Sequence, residues 1–157
     1  MLLLLSIGII AAICSASSPP EGVVGLEIPI PIFRVYDAHS RNHWIPNAVF
    51  NIRRALKAGL GVEVYMVPKT HRFKEDQGSA QIREAFNGFN SANLGVSRIW
   101  IKVKSQSFDQ DREYNRGFLK EMISSARNLG IDVGFFTNRK NWNEITNEWN
   151  LDGHHLW

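Results

Sequence analysis

Two hydrophobic periods alternate along this chain, and each change of period marks an element. From Leu94 to Ser105 (LGVSRIWIKVKS) the period is two. Ile99, Ile101 and Val103 fall on one face, and Arg98, Trp100, Lys102 and Lys104 on the other. This pattern predicts a half-buried strand over 96–104, apolar toward covering helices and polar toward a cleft or barrel interior. Ile32 to Ala38, Gly61 to Pro68 and Ile131 to Asn138 read as further strands. A weaker one is expected near Val23 to Ile28, where Pro29 and Pro31 interrupt an otherwise β-rich run.

Between these strands the period lengthens to that of a helix. Pro46 suits a first turn, Ala48, Val49, Ile52, Ala55 and Leu56 recur at helical spacing, and Gly59 ends the run. Ile82, Ala85, Phe86 and Phe89 mark a second helix. Tyr114, Phe118, Met122, Ala126 and Leu129 mark a third, closed by Gly130. Asn141 with Glu144 three residues later looks like the cap of a fourth, carrying Trp142, Ile145 and Trp149. A Leu-Gly pair recurs at Leu60-Gly61, Leu94-Gly95 and Leu129-Gly130, each time between a helix and a strand. The period of roughly 35 residues is that of a β-α unit. Alternation throughout predicts a parallel sheet in one domain, of about five strands.

Projected onto one face, the strands place charges in a layer. Arg34, Glu63, Arg98 and Asp132 carry two charges of each sign, as a barrel interior requires if buried charges are to be paired. Tyr36, Tyr65 and Trp100 follow in a layer nearer the C-terminal mouth, where β/α barrels bind ligands.

The first 16 residues change the setting. MLLLLSIGIIAAICSA has the apolar core and small-residue end of a secretory signal, and the run is too short to span a bilayer comfortably. Its removal would take the only cysteine, Cys14, and leave a secreted chain without disulfides or a stable membrane anchor. Residues 17–31 then form a linker and the weak first strand, and 32–157 the domain. The net charge of +3 is spread along the chain, which argues against nucleic acid. His39 and His43, with Asp37, are not held on one face, so no metal is expected, nor any other cofactor. His154-His155 reads as surface.

Four segments carry a family resemblance: FRVYDA (33–38), AGLGVEVYMVP (58–68), SRIWIKV (97–103) and GFFTNRKNWNEITNEW (134–149). In order and spacing they resemble the lysozymes of glycoside hydrolase family 25, in the form found in nematodes and some protists. The resemblance implies an irregular, here incomplete, β/α barrel and hydrolysis of the β-1,4 bonds of peptidoglycan, with a secreted or lumenal place and a role in antibacterial defence. It also exposes departures. The family's Asp-x-Glu signature after the central strand falls on Lys102 and Lys104, and Phe136 stands where a tyrosine is common. The family continues for several strands past the position of Trp157. No clean match to its first-strand aspartate precedes Phe33, and Glu27 is the nearest acid.

Two ammonium groups cannot replace two carboxylates, one to protonate the leaving oxygen and one to stabilise an oxocarbenium-like centre. The expectation is an impaired or inactive relative. Asp37 and Asp109, on loops after strands, are the remaining acid candidates, and turn or cap roles suit them better. Lys102 and Lys104 beside Tyr36, Tyr65 and Trp100 suit instead an anionic glycan held by stacking and carboxylate pairing. The alternatives are a non-catalytic binder of wall glycan and a shortened product without independent function.

Overall fold

A computed structural model describes residues 29–71, 77–150 and 153–157. The expected signal at 1–16, the weak strand at 23–28, Glu27 and most of the 17–31 linker lie outside these residues. Strands β1 (Ile32–Asp37), β2 (Glu63–Val67), β3 (Arg98–Lys102) and β4 (Asp132–Phe136) alternate with helices α1 (Pro46–Lys57), α2 (Gln77–Ser91), α3 (Arg112–Asn128) and α4 (Arg139–Thr146). A two-residue strand, β5 (His155–Leu156), ends the chain. All neighbouring strands pair in parallel, in the order β1-β2-β3-β4-β5, so among the described residues the sheet is open and the barrel is not closed. Five parallel strands are expected and found, but the fifth described strand is the C-terminal one. His155, expected as plain surface, is exposed yet sits in the ladder opposite Gly134.

The helices end where sequence signals place them. Gly59 and Gly130 take positive φ (+76° and +73°), which glycine adopts without steric cost. Asp111 caps α3 by accepting from the Glu113 and Tyr114 amides. The cap of α4 is Asn138, which accepts from the Asn141 amide at 2.8 Å, so Asn141 lies inside the helix rather than at its cap. Asn138 is the better cap because its backbone is still extended, one residue past Thr137, which follows the strand.

One sheet face lies under the helices. Met66, Ile99, Ile101, Val133 and Phe135 pack there with Ile52, Ile82, Phe89, Leu119 and Met122, all at most 2 % exposed. Each such side chain contributes about 1.5–3 kcal/mol by leaving water. At Gly78 a Cβ would lie 2.5 Å from the Phe118 carbonyl, so only glycine lets α2 approach α3 this closely.

A bulge in β1 decides what faces the other way. Arg34 pairs with Tyr65, but Tyr36 pairs with Met66, leaving Val35 as an extra residue. One inserted residue reverses side-chain parity from that point on. Tyr36 therefore turns to the helix side and Asp37, opposite Val67, turns to the inner face. Uniform alternation puts Tyr36 in the ligand layer, and the bulge removes it. Arg34 likewise shares a row with Tyr65, not with Glu63, so the expected four-charge layer contains three of its members.

Candidate functional site at the C-terminal mouth

The uncovered inner face has two ends. Near its N-terminal end, Arg98 bonds Asp132 at 3.1 Å and Trp100 Nε1 donates to Glu63 at 2.8 Å. Opposite charges are paired as expected, although Asp132 is half exposed because the barrel is open. Trp100 is 7 % exposed, edge-on to Trp157 at 5.2 Å and closed over Gly134, where a Cβ would come within 2.5 Å of its ring. Its indole is thus taken up by packing and offers no open platform.

At the C-terminal end, Arg34, Asp37, His39, Lys102, Lys104 and Ser107 line a cavity of about 340 Å³. The sheet delivers Arg34, Asp37 and Lys102, and the turn after β3 (Ser105–Ser107) delivers Ser107. Lys104 is exposed just beyond the last residue of β3. The Lys102 ammonium lies over Tyr65 at 5.5 Å and Phe136 at 5.2 Å, so the two rings fix its position. Asp37 is 8 % exposed. Its Oδ2 accepts from Arg34 at 2.9 Å, and its Oδ1 accepts from the His39 amide at 3.0 Å.

Residues 23–157 match the family model of Lysozyme-like protein 1. The chain belongs to that lysozyme-like family. Its resemblance to nematode lysozymes is upheld by Caenorhabditis elegans relatives. Lysozyme-like protein 1 is 37 % identical over 65 % of this chain and 34 % of its own length. Lysozyme-like protein 7 is 33 % identical over 76 % of this chain and 42 % of its own. The chain thus spans well under two thirds of the relatives it matches. In structure it is similar to the catalytic domain of endolysin ply40 from a Listeria monocytogenes bacteriophage, with a TM-score of 0.57. That match covers 77 % of this chain and 58 % of the endolysin domain at 8 % identity, and it shows the lysozyme-like α/β fold alone.

Within this lysozyme-like mouth, the residues singled out from sequence divide. Lys102, Lys104 and Asp37 converge on one cavity, and Tyr65 flanks it through Lys102. Asp109 does not line it. Its carboxylate accepts from the Asp111 amide at 2.9 Å, as an aspartate does in a turn before a helix. Tyr36 is fully buried on the helix side, where its hydroxyl donates to Glu84 at 3.0 Å. Burial first, then the Glu84 charge, pushes its ionisation far above that of an ordinary tyrosine.

Sequence reasoning missed Arg34, His39, Ser107 and Phe136 as mouth residues. His39 Nε2 lies 3.1 Å from Ser107 Oγ across 68 positions of chain, and no local spacing signals such a pair. The pair resembles a nucleophile with its base, but a third group must orient the imidazole. Asp37 binds the His39 backbone amide and not the ring, so it does not orient the imidazole. Among the described residues no three His, Cys, Asp or Glu side chains cluster as metal ligands do.

Proposed function

We propose that this chain is a secreted lysozyme-like protein that binds peptidoglycan in antibacterial defence, without the hydrolytic power of a carboxylate pair. The mouth cavity carries this reading: its lining includes one carboxylate, Asp37, and that one is engaged by Arg34. Glycoside hydrolysis needs two acidic groups about 5–9.5 Å apart across the bond, one of them protonated. Asp37 is tied to Arg34 at 2.9 Å, and no second acid lines the cavity among the described residues. Lys102 and Lys104 would oppose the positive charge that develops on the sugar ring. Losing a general acid alone costs about 10²- to 10⁴-fold in rate.

Binding makes different demands, and the mouth meets them. Tyr65 and Phe136 seat Lys102, and the lysines and Arg34 offer donors, as polar ligand sites require. The family kinship supports peptidoglycan as the ligand, and the N-terminal apolar run supports export. The test is to incubate the folded protein with insoluble peptidoglycan, measuring both retention and release of reducing ends. Retention with release at background is expected. Release above background that survives Asp37→Asn would mean that other acids perform catalysis, and the reading would fall. Protein exported from an expressing cell should begin at Ser17.

A further inference from the structure

The mouth cavity is charged out of balance. Among the described residues three cations line it, Arg34, Lys102 and Lys104, against one carboxylate, Asp37. Arg34 engages that carboxylate through one nitrogen, at 2.9 Å, and remains half exposed, so its planar fork still presents donors to the cavity. Among the described residues neither lysine meets a carboxylate at ion-pairing distance. Lys102 is instead held over two rings, Tyr65 and Phe136. A ring face attracts an ammonium without neutralising it. The fold therefore orients this charge and leaves it uncompensated. In a concave site, like charges focus the field and draw in ions of opposite sign. The other end of the same sheet face shows the contrast, since Arg98 there meets Asp132.

We infer that the mouth cavity recognises an anionic substituent, a carboxylate or a phosphate, carried by the wall glycan. Lys102 and Lys104 supply charge, Arg34 supplies a planar fork, and Tyr65 and Phe136 flank the sugar. This inference rests on the glycan-binding reading and narrows it from polysaccharide in general to an acidic one. Two wall components carry the required group: peptidoglycan, with the free carboxylates of its stem peptides, and teichoic acid, with phosphodiesters.

The test compares retention of the full chain on three solids. They are peptidoglycan stripped of teichoic acid, the same material with its carboxylates amidated, and chitin, a neutral polymer of the same linkage. Retention should fall about tenfold or more on amidation, since each charge-assisted hydrogen bond lost is worth about a factor of ten or more. Raising salt should weaken binding to the native solid and leave any chitin binding unchanged. The Lys102→Glu/Lys104→Glu protein should bind native peptidoglycan no better than wild type binds the amidated form. The Lys102→Arg/Lys104→Arg protein should retain most of its binding, which separates charge from misfolding. Displacement by soluble muramyl peptide assigns the carboxylate source, and stronger displacement by polyglycerol phosphate assigns the phosphate source. Equal retention on native and amidated solids, together with no displacement by polyglycerol phosphate, would overturn the anion inference while leaving glycan binding intact. Retention on none of the three would overturn the glycan reading itself and this inference with it.

Discussion

The two ends of the open sheet face are built from the same residue types and solve opposite problems. At the N-terminal end, Arg98 meets Asp132 and the Trp100 indole meets Glu63, so each polar group has a complement. At the C-terminal end, three cations converge on one carboxylate, and Lys102 rests on aromatic rings. A protein selecting only for stability would balance both ends. The difference teaches that the lower layer holds strands together, whereas the mouth leaves the two lysines without a carboxylate partner among the described residues.

Removing the lower layer's centrepiece should have the largest effect on stability. Trp100→Ala empties a nearly buried site between Gly134 and Trp157 and should cost about 3–5 kcal/mol in a urea melt. A loss below about 1 kcal/mol would mean that Trp100 is not structural, and the contrast between the ends would collapse.

Next comes Tyr36→Phe, which removes the hydroxyl that donates to Glu84 and should cost about 1 kcal/mol at neutral pH. Its pH dependence has a definite sign. The folded-state pKa is raised, so the contribution is complete below about pH 10, where an unfolded tyrosine begins to ionise. It is lost progressively as pH rises beyond that point. The Tyr36→Phe protein should therefore show a shallower decline in stability than wild type between roughly pH 10 and 12, followed by circular dichroism.

Arg98→Ala should cost less than about 1 kcal/mol, because its partner Asp132 is half exposed and water screens the pair. Smallest in stability is Lys102→Met. Loss of the two ring contacts should cost about 0.5–1 kcal/mol at most, while retention on peptidoglycan falls. If Lys102→Met instead unfolds the protein as Trp100→Ala does, the mouth is as structural as the layer below it.

Much of the scaffold is legible from pattern alone. The alternation in RIWIKVK places Trp100 and Lys102 on the inner face and Ile99 and Ile101 under the helices, as found. Gly59 and Gly130 mark helix ends, and the recurring Leu-Gly pairs mark the β-α units. The candidate site is legible only in part. Lys102 and Lys104 stand out because a strand's period reports its own face. Asp37, expected as a loop aspartate, lies in β1 and in the cavity. Arg34, His39 and Ser107 join it because separate strands and turns bring them together, and no spacing within one segment encodes that. β5 escapes notice because two residues are too few to show a period.

By itself the sequence determined the order of β1 to β4 and α1 to α4 and their parallel arrangement. These follow from local periodicity and chain order, which need no knowledge of distant contacts. The tertiary structure alone decided that Val35 is an extra residue in β1. That bulge is defined by the partner strand β2, since register exists only between chains of atoms that lie side by side. One residue of offset sends Tyr36 to Glu84 under the helices and turns Asp37 toward Arg34 and the lysines.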